Sequence, residues 1–241
     1  MTFYIIVGAV YLFSLLVQGT LKRTYAKWSG VRNSAGLPGG QVARQILDAN
    51  EMRRVRVEEV AGKLSDHYDP RTKVIRLSGR VYGIPSIAAM AISAHESGHA
   101  IQDHQNYGPL KFRTAMAPIA HFAGRAGIPA LIAGSMFGSQ LLVLLGVIAY
   151  VGALLLQFLT LPVEFNASKR ALAQLESLQL MNDQEKEGAQ KVLRAAAMTY
   201  VAGVASAAGY LVYLALAGGR MLLKKPPVVP PSIPPTGPVG V

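Results

Sequence analysis

Ser86-Ile-Ala-Ala-Met-Ala-Ile-Ser-Ala-His95-Glu96-Ser-Gly-His99-Ala-Ile-Gln-Asp103 opens on a serine suited to capping and runs on without proline, so it reads as a helix. Ala88 to Ala94 is nearly all apolar, which makes that helix a buried one. Residues of a helix follow at about 100°, so His95 and His99 differ by about 40° and one turn and aim both imidazoles at a single ion. Zinc takes neutral imidazole readily, and a catalytic zinc keeps three protein ligands beside a water whose pKa falls to about 7. Glu96 sits beside that face, placed to take the proton of the water and return it to a leaving amine. Five His and eight Glu in 241 residues give roughly 0.003 chance matches to this pattern. Unpaired His and Glu in a buried helix would be costly. The pattern therefore reads as a metal site, with Glu96 catalytic and His95 and His99 as ligands.

The chain has no cysteine, so a third ligand must come from His, Asp or Glu. A metzincin arrangement would place Gly at 102 and His at 105, where this chain has Gln102 and Gln105; His104 is one place off. A gluzincin arrangement takes a Glu from a later helix. Glu164 follows Leu161 and Pro162 and heads the helical run to Leu180, so it is the expected third ligand to one zinc ion per chain. Glu51, Glu58 and Glu59 lie before the catalytic helix. A carboxylate at Glu164 would also be favoured by the dipole at a helix start.

Of the residues, 51% are hydrophobic and only 15% charged, against about 25% charged in a soluble domain. Thr2 to Gln18 is uncharged and is followed by Lys22, Arg23 and Lys27, the reverse of a secretory signal, so it is expected to be a retained membrane anchor (1–18). Ala126 to Val163 holds 38 residues without a charge, broken by a small and polar stretch at Gly134 to Gln140. With a start near Pro118 this fits two spans of about 20 residues, a membrane hairpin over 114–162. A fourth span (195–219) is rich in Gly203, Ser206, Ala207 and Gly209, whose small side chains suit packing against the protein's own helices. With the N-terminus outside, eleven lysines and arginines near span ends lie inside, against Arg220, Lys224 and Lys225 outside. The net charge of +11 is thus mainly an orientation signal that puts the catalytic side in the cytoplasm. His121 and Arg125 share a face of the second span, where a snorkelling Arg is the simpler reading.

Between the first two spans, the segment 19–113 is expected to form a small α+β catalytic unit. Gly39 to Asn50 has helical spacing, and Val55, Val57 and Val60 suggest a strand. Gly62 to Pro70 is turn chemistry, and Lys73 to Ser78 alternates as a half-buried strand would. That last strand is a candidate open edge for an extended substrate peptide, and His67 and Tyr68 are candidate donors to an oxyanion. A helix with the third ligand occupies 163–194. The tail (220–241) is expected to be extended or disordered, because Pro226 to Val241 holds seven of 14 prolines.

Three stretches, Leu64 to Ser78, Ala94 to Gln102 and Leu161 to Ala171, together make residues 1 to about 220 resemble the YugP-type neutral zinc metallopeptidases, bacterial multipass membrane proteins. The layout is similar to that of the HtpX-like and prenyl-protein gluzincins, where a membrane hairpin separates HExxH from a Glu-aromatic-x-Ala-Asp motif. Glu164 and Phe165 match that motif; Ser168 stands where those relatives have Asp. Asn166, Ser168 or Asp103 is then left to support a histidine ligand.

The expected architecture is a mainly α membrane protein with about four transmembrane helices and a zincin-like α+β domain. The resemblance implies a zinc endopeptidase of the bacterial inner membrane, acting on protein or peptide substrates in contact with the lipid bilayer. The other reading is a non-catalytic zinc-binding membrane scaffold that recruits partners through its proline-rich tail. Nucleic-acid binding is not expected, since aromatics do not interleave with the basic residues.

Overall fold

The computed structural model of the protein describes residues 2–222. The expectation for the proline-rich tail beyond 222 falls outside them. Helix α1 (Thr2–Ser29) leads to α2 (Gly39–Ala49), the strands β1 (Arg56–Val60), β2 (His67–Asp69) and β3 (Val74–Ser78), and the short α3 (Gly79–Gly83). Four longer helices follow: α4 (Ile87–His104), α5 (Gly108–Phe137), α6 (Gln140–Ser177) and α7 (Asp183–Leu222).

The polar domain is built around α4. Ser86 caps it, its hydroxyl accepting from the Ala89 amide at 3.1 Å. The amphipathic α2 buries Val42, Ala43, Ile46 and Leu47 against it. Ile75 and Leu77 of β3 join the same core, as do Ala171 and Leu175 from the end of α6 and Ala189, Val192 and Leu193 from the start of α7. Helices α6 and α7 are therefore part of the polar domain as well as of the apolar bundle.

The strand over 73–78 differs from expectation. It is the middle strand, in the order β1-β3-β2, parallel to β1 and antiparallel to β2. Its backbone is paired on both sides and all of it but Arg76 is buried, so it offers no open edge to a peptide. The alternation read as half-burial reflects Arg76 alone. His67 to Asp69, read as a turn, forms the edge strand β2, too short for a periodicity to register.

Among the described residues, three helices are long and apolar enough to cross a membrane: Ile5–Ser29 in α1, Gln140–Ser177 in α6 and Asp183–Gly209 in α7. In α6, Leu141, Leu144, Leu145, Ile148, Leu155 and Phe158 are all exposed, far more contiguous apolar surface than a water-soluble face carries. Helix α5 is not one of the three; His121, Arg125, Pro118 and Pro129 dilute its apolar character. It nevertheless pairs with α6 as an antiparallel hairpin. The chain reverses at Gly138, whose φ of 66° is the left-handed conformation that ends helices on glycine. The turn falls inside the stretch Gly134 to Gln140 chosen from the sequence.

Helix α6 passes through Pro162 without ending, so the apolar run and the Glu164 run are one helix. The small residues of α7 face the protein's own helices, as expected: Ser206 Oγ lies 3.1 Å from Ser14 Oγ of α1, and the Ala207 carbonyl accepts from Tyr150 of α6 at 3.3 Å.

A close backbone approach joins α4 to α6. A Cβ on Gly98 would stand 2.5 Å from the backbone oxygen of Ala167, so only glycine lets the two backbones meet there. Gly98→Ala is expected to push α6 outward and destabilise the protein by about 1–3 kcal/mol despite the better helix propensity of alanine. Gly124→Ala, with open space around its Cβ, is the control. Thermal unfolding in detergent checks both: Gly98→Ala should melt several degrees lower and Gly124→Ala should not.

Candidate metal centre

The approach of α4 and α6 places Glu164, 1% exposed, directly over the face of α4 that carries the two histidines. Its Oε2 lies 3.2 Å from His95 Nε2 and 3.5 Å from His99 Nε2. The imidazole rings stand edge to face at 4.7 Å and 82°. Oxygen and nitrogen ligands on a tetrahedral zinc, at bonds of about 2.0–2.1 Å, are themselves about 3.3 Å apart. The three side chains thus fit one ion of that size. Among the described residues they are the group of His, Asp and Glu that converges in this way.

The far nitrogens of both rings are also held. His99 Nδ1 donates to Gln102 Oε1 at 3.0 Å, and the Gln102 amide in turn donates to the Val163 carbonyl (2.8 Å) and to Asn166 Oδ1 (2.9 Å). His95 Nδ1 lies 3.2 Å from Ser168 Oγ. With Nδ1 carrying the proton, each Nε2 presents its lone pair to the centre. Gln102 is the residue that sequence reasoning missed. It is fully buried and ties the HExxH helix to the Glu164 helix. Its signal was available, since a glutamine three residues after His99 lies on the same helix face.

Asp103 points elsewhere, accepting from the Tyr68 hydroxyl at 2.6 Å and pairing with Lys73. Burial, and then Asp103, push the Tyr68 phenol above its ordinary range, so its proton stays on and is already committed. His67 is exposed, its Nδ1 2.8 Å from the Ser65 carbonyl.

Two further side chains reach the centre without a sequence signal. Arg113 of α5 donates to Glu164 Oε1 at 2.8 Å, and Tyr200 of α7 borders the cleft beside Glu164. In the sequence Arg113 is one of the eleven basic residues near the span ends, with nothing beside it that points to a metal site. The cleft, about 470 Å³, is walled by β2 on one side and by α5 on the other, and His121 lines it while Arg125 does not. Behind Glu96 a smaller chamber of about 180 Å³ opens between α1 and α7, lined by Leu21, Tyr25, Ile92, Val192, Leu193 and Ala196. Cleft and chamber share Asp66, His95, Glu96, Glu164 and Tyr200.

Residues 3–218 match the family described as "Putative neutral zinc metallopeptidase". The chain belongs to this family. It is also 43% identical over 189 residues to a Bacillus subtilis (strain 168) protein named "Putative membrane protease YugP", covering 78% of this chain and 84% of that one. No solved structure matches. Membership in a zinc peptidase family implies zinc, and the His95, His99 and Glu164 group is one that could hold a metal ion. The fit rests on this donor set, two neutral imidazoles and one carboxylate with no thiolate, which is common to catalytic zinc sites.

Glu96 is 7% exposed, and burial pushes its carboxyl up to about 7, against the pull of His95 and the Tyr68 amide. Asp66, half-buried, is also raised by desolvation, though it accepts from the Ser78 amide at 2.7 Å. The pH consequence has a definite sign. In the metal-free protein, Glu96 keeps its proton up to about pH 7, while the unfolded chain releases it near 4.5. Its contribution is fully present below 4.5 and is lost as pH rises to about 7, by roughly 3 kcal/mol in all. Glu96→Gln should remove this slope. Denaturant midpoints of chelator-treated protein between pH 4.5 and 7.5 check it: the variant should gain on the wild type as pH rises, and a constant gap would refute the shift.

Proposed function

We propose that this member of the family is a membrane-embedded zinc endopeptidase in which His95, His99 and Glu164 hold the metal and Glu96 is general base and then general acid. The observation that carries the reading is the position of the Glu164 carboxylate, 3.2 and 3.5 Å from the two Nε2 atoms that the motif aims at one point. Zinc, when bound, supplies a Lewis acid for the scissile carbonyl and acidifies water to near neutrality. Glu96, at about 7 and bordering the cleft, has the proton affinity of a group that takes a proton from water and passes it to the leaving amine near neutral pH. Arg113 and Tyr200 carry fixed donors on the same cleft and are the positions from which an oxyanion would be stabilised.

In this reading α5 is a further span, the second of four, packed beside α6 as its hairpin partner. The hairpin geometry of α5 and α6 requires α5 to run alongside an apolar helix over most of its length, its His121 and Arg125 lying toward the cleft end. Two crossings return the chain to the face where α4 lies. The basic residues near the span ends favour the cytoplasmic side for that face, and the bacterial inner membrane is the expected location.

The substrates are protein segments. A cavity of about 150 Å³ lined by apolar side chains accepts a benzene ring, so the chamber of about 180 Å³ behind Glu96 suits a leucine or phenylalanine side chain next to the scissile bond.

Glu96→Gln should retain zinc and lose cleavage of an unfolded protein by a factor of about 10²–10⁴, while Glu164→Ala should lose most of its zinc. Metal analysis alongside a cleavage assay in detergent reads both. Retained cleavage in the first, or unchanged metal in the second, overturns the assignment.

Ala196 lines the chamber at a half-buried position. Ala196→Phe should lower kcat/KM for peptides with Leu or Phe beside the cleaved bond by about 10-fold or more relative to those with Ala. Peptide-library cleavage reads this ratio, and an unchanged ratio removes the chamber from substrate selection.

A further inference from the structure

A second groove, about 600 Å³, lies between α1 and α7 on a different face from the catalytic cleft. Its floor is apolar, made by Phe13, Leu16 and Val17 of α1 and Met198 of α7, and one end is ringed by Arg23, Lys27, Lys191 and Arg194. Arg23 and Lys27 are one turn apart, and Lys191 and Arg194 are three residues apart, so each helix contributes two cations from one face. Glu187 is the carboxylate at this end; it pairs with Lys191 and also attracts Lys27. Among the described residues no carboxylate forms an ion pair with Arg23, Lys27 or Arg194. Lys27 Nζ lies 5.0 Å from the ring centre of Trp28, an aromatic of the kind found at the headgroup level of a bilayer.

The groove is polarised along the helix axes. From Arg23 back to Phe13 is about 15 Å of helix, running from the basic end into the uncharged stretch Thr2 to Gln18. We infer that this groove binds one anionic phospholipid, its phosphate among Arg23, Lys27, Lys191 and Arg194 and its acyl chains along Phe13, Leu16, Val17 and Met198. Charge complementarity decides for an anionic headgroup, since unpaired cations on two helices repel each other until an anion bridges them. The apolar floor decides for a lipid over a free phosphate, which would use only one end. The bound lipid clamps α1 to α7 on the polar side of the span.

The test uses the full chain in neutral detergent with added phosphatidylglycerol, phosphatidylcholine or inorganic phosphate. It is read by thermal unfolding and by the lipid retained in native mass spectrometry. Phosphatidylglycerol should raise the melting temperature and remain bound at one molecule per chain, and the other two should not. The double variant Arg23→Gln/Arg194→Gln, both sites exposed, should weaken that effect about thirty-fold, at about five-fold per cation. Arg53→Gln/Arg54→Gln removes the same charge from exposed positions of the polar domain and should change nothing. Arg23→Lys/Arg194→Lys, which keeps the charge, should retain binding and shows that a loss in the Gln variant is not misfolding. Equal stabilisation by phosphatidylcholine, a matching shift with inorganic phosphate, or equal loss in the Arg53/Arg54 variant overturns the site.

Discussion

A buried carboxylate between two imidazoles is the constraint around which this protein is arranged. Glu164 is 1% exposed, and an ionised carboxylate removed from water costs several kcal/mol unless charges and hydrogen-bond donors surround it. Arg113 donates to it here, and His95 and His99 would share a metal cation with it. Each comes from a helix that must be held in place, two from α4 and one from α5. The surrounding geometry follows from that need: Gly98 removes the side chain that would keep α6 away from α4, and Gln102 bonds across the same contact to Val163 and Asn166. The helices are pinned on both sides of the site, by backbone contact at one point and by a glutamine bridge at another.

This arrangement explains why the polar domain and the apolar helices cannot be separated into independent units. The core around α4 includes Ala171 and Leu175 of α6 and Val192 and Leu193 of α7, so the same helices that carry the exposed leucines of an apolar surface also complete the interior of the domain. A helix that only anchored the protein would not need to end in that core. Continuity through Pro162 matters for the same reason. A break there would uncouple Glu164 from the hairpin that returns it to α4. Proline in a helix interior gives up the bond to the carbonyl four residues earlier, that of Phe158, at a cost of about 3 kcal/mol in water, and tertiary packing on the Glu164 side offsets it.

Much of the site was legible because its chemistry requires fixed spacing. The i, i+4 pair His95 and His99 and the adjacent Glu96 define a direction in space from sequence alone, and the expected hairpin between them and Glu164 made that carboxylate the candidate to meet them. The capped helix from Ser86, the α2 helix and the β1 strand were legible from periodicity for the same reason. What escaped lacked a period or a local partner. β2 is three residues long, and the central place of β3 depends on which strands flank it, which no pattern within Lys73 to Ser78 records. Arg113 and Tyr200 enter the site from α5 and α7 across long sequence separations. The count of spans was limited differently: α5 carries His121, Arg125 and two prolines, so its apolar character is real but diluted, and its role as a hairpin partner is visible only once Gly138 turns it against α6.

The junction of the two environments also bears on how substrate reaches the centre. The cleft opens past β2, whose Tyr68 amide contributes a hydrogen bond to Glu96, while the chamber on the opposite side of Glu96 is bounded by α1 and α7. A segment lying across His95 and Glu96 would thus meet a polar strand edge on one side and apolar helices on the other. Such a site selects by two criteria at once, an extended backbone for the strand and a large apolar side chain for the chamber. Segments with both properties are buried in folded soluble proteins and become available when a protein unfolds or leaves the bilayer. The selectivity of the centre would then come from the state of its substrate more than from a sequence motif, and it would follow directly from mounting a zinc site where the membrane helices enter the polar domain.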